Sequence, residues 1–136
     1  MNRADFQQLA DLRIAEASLL LENAQFSGAY YLAGYAVECG LKACIAKLTK
    51  QDDFPDKDAN KCYTHDIEKL VVFAQLQSQR KTDSNADPDL GVNWLIVKDW
   101  TEESRYEKKG QPDAQRLIEA ITDAKHGVLP WIKQRW

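Results

Sequence analysis

The chain is poor in the residues that most often announce chemistry. Its 136 residues include two histidines, three cysteines and six glycines. Two histidines, His65 and His126, allow no Ser/His/Asp or Cys/His nucleophile pattern to be assigned, and with three cysteines they argue against a zinc site. The odd cysteine count excludes a complete disulfide framework. Free thiols point to a reducing cytoplasm. The glycines are scattered, so no phosphate-cradling loop is present, and the acidic residues are not read as a metal-binding arrangement. Paired ExxH motifs of a di-iron bundle are missing. A formal net charge of -3 supplies no general basic field, which argues against wholesale non-specific nucleic-acid binding but leaves room for a local basic patch. No uncharged apolar run approaches the ~18 residues of a membrane span. The opening MNRADFQQLADLR carries acidic residues and no apolar segment, so it is not read as a signal peptide. Gly-flanked, alternating β-branched runs are also lacking. Only VNWLIV (Val92 to Val97) looks like a strand, and the KDWTEE that follows it favours helix.

What is present is helical periodicity. A chain of this length is expected to form one domain, residues 1–136. The richest stretch is FSGAYYLAGYAVECGLKACIAKL, Phe26 to Leu48. Residues three and four apart share a helix face. Tyr30, Gly34, Val37, Leu41 and Cys44 form an apolar stripe, and Ala29, Ala33, Ala36, Gly40 and Ala43 a stripe of small residues. Tyr31, Tyr35, Glu38 and Lys42 form a third, polar and aromatic. A helix apolar on most of its circumference is central.

Around it the pattern predicts a first helix from about Arg3 to Asn23, with Phe6, Leu9, Leu12 (or Arg13), Ala17, Leu20 and Leu21 inward. The second helix, capped by Ser27, should run to about Lys50. QDDFPDKDANKCYTH reads as a loop. Thr64 should cap a third helix over His65 to Gln77, burying Ile67, Leu70, Val71 and Ala74. SQRKTDSNADPDLG reads as a second loop, broken by Pro88 and Gly91. A fourth helix is expected over Val92 to Ser104, with Trp94, Leu95, Val97 (or Lys98) and Thr101 near one face. EKKGQP is a turn. A fifth helix should start near Asp113, turn Leu117, Ile118, Ile121, Ala124 and Val128 inward, and kink or end at Pro130. The expected fold class is all-α, an antiparallel up-and-down bundle of about five helices around a four-helix core.

Three strings in order, YYLAGYAVECGLKACI (Tyr30 to Ile45), THDIEKL (Thr64 to Leu70) and WTEESRYEKKG (Trp100 to Gly110), resemble the HEPN family of small helical proteins. The resemblance implies a helical bundle that usually dimerises, often beside a minimal nucleotidyltransferase in toxin–antitoxin or mobile-element settings. Many such proteins are metal-independent endoribonucleases. In the family, polar groups of the second helix face the groove between protomers. Nuclease members carry an arginine and a histidine four to six residues apart near the start of the last helix. Here Arg116 lies ten positions before His126 and Arg105 lies 21 before it, so that motif is absent.

The candidate ligand groove therefore comprises Glu38, Lys42, His65, Arg105 and Tyr106. Glu38 and Lys42 form an i,i+4 pair in the favourable order. His65, at a helix start, suits a neutral, hydrogen-bonded role to a loop or to the Glu38 region. Arg105 can grip phosphate and Tyr106 can stack on a base, with Lys108 and Lys109 alongside. His126 is expected to cap a helix C-terminus, and Trp94 and Trp100 to lie in the core. WIKQRW could meet a partner or fold back on the bundle. Without a histidine at the family's position, no catalytic residue is assigned. No cofactor is implied. With the family's ribonuclease motif absent, the expected role is a cytoplasmic binding or regulatory component rather than an enzyme, one that engages RNA, a nucleotide or a protein partner. The alternatives are a divergent endoribonuclease using His65 or His126 with Arg105, and a structural assembly protein without a ligand.

Overall fold

A computed structural model of the chain describes residues 1–49, 51–55 and 62–136. Among these the architecture is all-helical: α1 (Arg3–Glu22), α2 (Phe26–Lys47), α3 (Ile67–Phe73), α4 (Gln77–Ala86), α5 (Pro88–Lys98), a 3₁₀ turn (Glu102–Tyr106), α6 (Gln111–Thr122) and α7 (Val128–Lys133). No strand occurs among the described residues, only an isolated bridge between Asn2 and Asp53.

The first hairpin follows the sequence closely. Asn2 accepts from the Asp5 amide at 2.9 Å and Asp5 accepts from the Asn2 amide at 2.9 Å, a reciprocal capping box. Phe6, Ala10 and Ala17 are buried; Leu12 turns outward at 50% exposure, and Arg13, the alternative at that place in the stripe, is half-buried. Ala24 turns the chain in the left-handed region, φ 58°. Three residues join α1 to α2, and the Arg3 amide donates to the Asp52 carbonyl beyond the far end of α2, so the two helices run antiparallel. Ser27 does not cap α2. Gln25 takes that position without a side-chain bond, and the Ser27 hydroxyl instead accepts from the Lys109 amide at 2.9 Å.

α2 is the central element and packs against α1, α3, α6, α7 and the 3₁₀ turn. Its small stripe is buried throughout. At Gly40 an added Cβ would meet Ile132 at 3.1 Å, so α7 rests directly on this stripe. The close helix approach that such small residues permit is made here by α7 of the same chain. Gly34 makes room for a larger group: a Cβ there would overlap the indole of Trp100, which is 1% exposed. Trp94, at 3% exposure, is also core, as expected.

The later elements depart from the sequence expectation. Asp66, not Thr64, caps α3, accepting from the Lys69 amide at 3.1 Å. Ile67, Leu70, Val71 and Ala74 are buried as expected. Residues 78–86, expected as loop, belong instead to α4, which starts at Gln77. No residue of it is buried, and long-range bonds anchor it instead. Asp83 accepts from the Trp131 indole and the Arg135 guanidinium, each at 2.8 Å, while Arg80 lies over the Trp94 ring at 4.9 Å. The Trp131 bond, followed by that from Gln79, holds the Asp83 carboxyl below its ordinary range.

Pro88 opens α5 rather than breaking it, because the first helical turn needs no amide donor there. α5 ends at Lys98, and the 3₁₀ turn carries the chain through Tyr106. Leu95 and Thr101 are exposed. The last long helix breaks at 123–127, not at Pro130. A Cβ on Gly127 would clash with the Asp123 backbone and the Ile121 carbonyl, so the turn requires glycine. Pro130 then sits in the first turn of α7, where its missing amide costs nothing. WIKQRW folds back on the bundle: Trp131 and Ile132 are buried, and Arg3 donates to the Trp136 carbonyl at 2.8 Å.

Candidate functional site

The third stripe of α2 forms a continuous ribbon of rings and charges. The Tyr31 and Tyr35 rings stack 6.1 Å apart, as one turn of helix dictates. One turn further, Glu38 is fully buried. Lys42 Nζ donates to Glu38 Oε1 at 2.9 Å, and His65 Nδ1 meets the same oxygen at 2.6 Å. Lys42 also lies 5.8 Å from the centre of the Phe54 ring, which packs edge-on against Phe6 and Tyr63. Thus Glu38, Lys42 and His65 of the expected groove do converge. Glu38 itself does not line an open groove; it faces solvent only through its two partners.

This geometry fixes the imidazole. An ionised carboxylate only accepts, so the nitrogen facing it carries the hydrogen and donates. In the neutral ring Nε2 is then an acceptor, and it has no partner among the described residues. Both partners of Glu38, Lys42 and His65, use one oxygen, which leaves Oε2 buried without a bond. The charge of Glu38 adds to burial in pushing the neighbouring Cys39 thiol up to about 12. Burial likewise raises Cys44 to about 11, so neither is a reactive thiolate near neutrality.

Arg105 and Tyr106 lie at the other end of the ribbon. The Arg105 guanidinium sits over the Tyr106 ring at 4.9 Å, and interaction with the Tyr106 hydroxyl, then with that of Tyr31, raises its basicity further. Tyr106 is 74% exposed. Arg105 has no carboxylate partner among the described residues, whereas neighbouring Lys109 is paired with Glu107 at 2.8 Å and lies over Tyr30 at 4.7 Å. The two clusters are joined through aromatic groups: Tyr31 stacks on Trp100 at 6.1 Å, and Trp100 fills the notch at Gly34. Neither histidine is bonded to Arg105. His65 is held by Glu38, and His126 by Asp87 at 2.7 Å.

Two open pockets border these groups. One of about 250 Å³ lies between the start of α3 and the segment after α5, with His65, Lys98, Trp100 and Glu102 in its wall. Another of about 370 Å³ lies between α5 and α6, where Tyr30, Lys109, Asp113 and Arg116 mix both charge signs. The first adjoins the carboxylate-held histidine and is the more chemically directed of the two.

His126 does not cap a helix C-terminus. It lies in the turn after α6 and bonds Asp87, the N-cap of α5. Asp87, Asp89 and His126 form the one group among the described residues whose ligand atoms, all within 4.8 Å of one another, suit a cation. The Asp-Pro-Asp string at 87–89 was the sequence signal for it. Asp87 is already committed to capping α5 and orienting His126. No helix among the described residues is long and apolar enough to cross a membrane. No protein-family model, no curated protein and no solved structure matches the chain.

Proposed function

We propose that the chain is a HEPN-like binding or regulatory component that holds a phosphate-bearing ligand, RNA or a nucleotide, on the α2 ribbon. One observation carries this reading: Arg105 offers a guanidinium with no carboxylate partner among the described residues, beside an exposed tyrosine ring. Guanidinium binds phosphate oxygens bidentately. A base stacked on an aromatic side chain contributes about 1–3 kcal/mol. With net charge -3, such binding is local rather than driven by the whole surface. From its resemblance to the family, the protein acts as a homodimer in the cytoplasm, with a minimal nucleotidyltransferase as partner in a toxin–antitoxin or mobile-element setting.

A second reading, metal-independent RNA cleavage, is favoured by the carboxylate-oriented His65, an arrangement suited to acid–base work. Arg105 is engaged by tyrosines and not by either histidine, which favours binding.

Fluorescence anisotropy with a labelled single-stranded RNA tests both. Binding that falls at least tenfold in Arg105→Ala, with an unchanged melting curve and intact RNA in EDTA, supports the first. Cleavage in EDTA that requires Arg105 and His65 replaces it with the second. No binding and no cleavage refutes both.

A further inference from the structure

The pocket beside His65 differs in charge from the Arg105 end of the ribbon. Asp66, Glu68 and Glu102 face it against Lys98, while buried Glu38 is offset by Lys42. An acidic wall repels phosphate, so the part of a ligand that enters here is uncharged and polar. The two are linked by one short element: Glu102 lies in the pocket wall, and Arg105 is three residues further along the same 3₁₀ turn.

We propose that His65 is a specificity-determining residue that reads a ribose hydroxyl. Nε2 accepts the 2′-OH hydrogen of the nucleotide whose phosphate lies on Arg105. This rests on the phosphate-binding reading above. Three observations support it: Nδ1 is held as a donor by Glu38 at 2.6 Å, Nε2 is without a partner among the described residues, and the ring lines a pocket of about 250 Å³. Glu38 is a positioning residue, because it fixes the tautomer and ring angle from the core. The 2′-OH distinguishes RNA from DNA at a given contact.

The test compares labelled single-stranded RNA and DNA of one sequence, with deoxyuridine replacing thymidine. One net hydrogen bond corresponds to a preference for RNA of about three- to tenfold. His65→Ala, at a side chain 47% exposed, should abolish that ratio while leaving DNA affinity intact. His65→Gln, which retains an acceptor, should restore part of it. Arg105→Ala should weaken both ligands equally and keep the ratio. Equal wild-type affinity for RNA and DNA, lost in Arg105→Ala, overturns this proposal and leaves phosphate binding standing. A ratio unmoved by His65→Ala overturns it too. No binding of either ligand removes both.

Discussion

Gly34 and Trp100 occupy the same space in alternation: the indole lies where the side chain of any other residue at position 34 would begin. The contact joins the middle of α2 to the segment that leads into Arg105. Trp100 is buried, so the indole has no open space to turn into. Gly34→Ala should therefore destabilise the protein by about 1–3 kcal/mol, as overpacking does. Urea denaturation measures this. A second change, Trp100→Leu, should recover part of the loss in Gly34→Ala but destabilise the wild type. Additive effects of the two changes would show that the groups do not compete for one site.

Glu38 is a buried anion whose partners, Lys42 and His65, share one oxygen. Its removal leaves Lys42, 13% exposed, without its partner. Glu38→Ala should cost about 3–5 kcal/mol, as breaking a buried pair does. Glu38→Gln keeps an acceptor and should cost less. Replacing both members, Glu38→Ala with Lys42→Met, should cost less than Glu38→Ala alone. A double variant as unstable as the sum of the singles would mean that the pair is not coupled.

The Asp87–His126 bond makes stability depend on pH. It raises His126 above its ordinary 6.5, so that contribution is complete below about pH 6.5 and is lost as pH rises through the higher folded value. The same bond lowers Asp87 from 3.8, so its contribution is present above that pH and is lost as pH falls through the lower folded value. The urea midpoint should drop between about pH 6 and about pH 9. His126→Gln should flatten that decline. An identical slope in the variant would assign the pH dependence elsewhere.

Ala24 and Gln75 hold left-handed backbone at φ 58° and 60°. Side chains with a Cβ pay about 1–2 kcal/mol there, and glycine does not. The greater freedom of glycine in the unfolded chain cancels part of the gain. Ala24→Gly and Gln75→Gly should each raise stability by roughly 0.5–1 kcal/mol. Thermal melting checks this, and a lower midpoint in both would contradict it.

The hairpin α1–α2 was readable because its signals are local: a capping box at Asn2 and Asp5, and stripes at helical spacing. α4 was not. Ser78, Gln79, Lys81 and Thr82 offer no apolar stripe, and the helix is tied down by Asp83 to Trp131 and Arg135, about 50 residues away in sequence. The break at Gly127 was hidden behind the more conspicuous Pro130, whose effect depends on its position in the turn. Within the site, the Glu38–Lys42 pair followed from i,i+4 spacing. The His65 bond crosses 27 residues, and only the anticipated role of His65 near Glu38 pointed to it. Arg105 and Tyr106 were legible as a pair. That aromatic rings, not a shared groove, would link them to Glu38 was not, since Trp100 read simply as core.

The stack of Tyr31 on Trp100 gives the molecule a built-in optical reporter. Tyrosine emission overlaps indole absorption, and at 6.1 Å energy passes efficiently from the ribbon to the core. The indole is shielded from aqueous quenchers by its burial. A group bound at Arg105 would lie within the electrostatic reach of the Tyr31 hydroxyl. Binding there should change the emission of Trp100, one of four tryptophans in the chain, without a label.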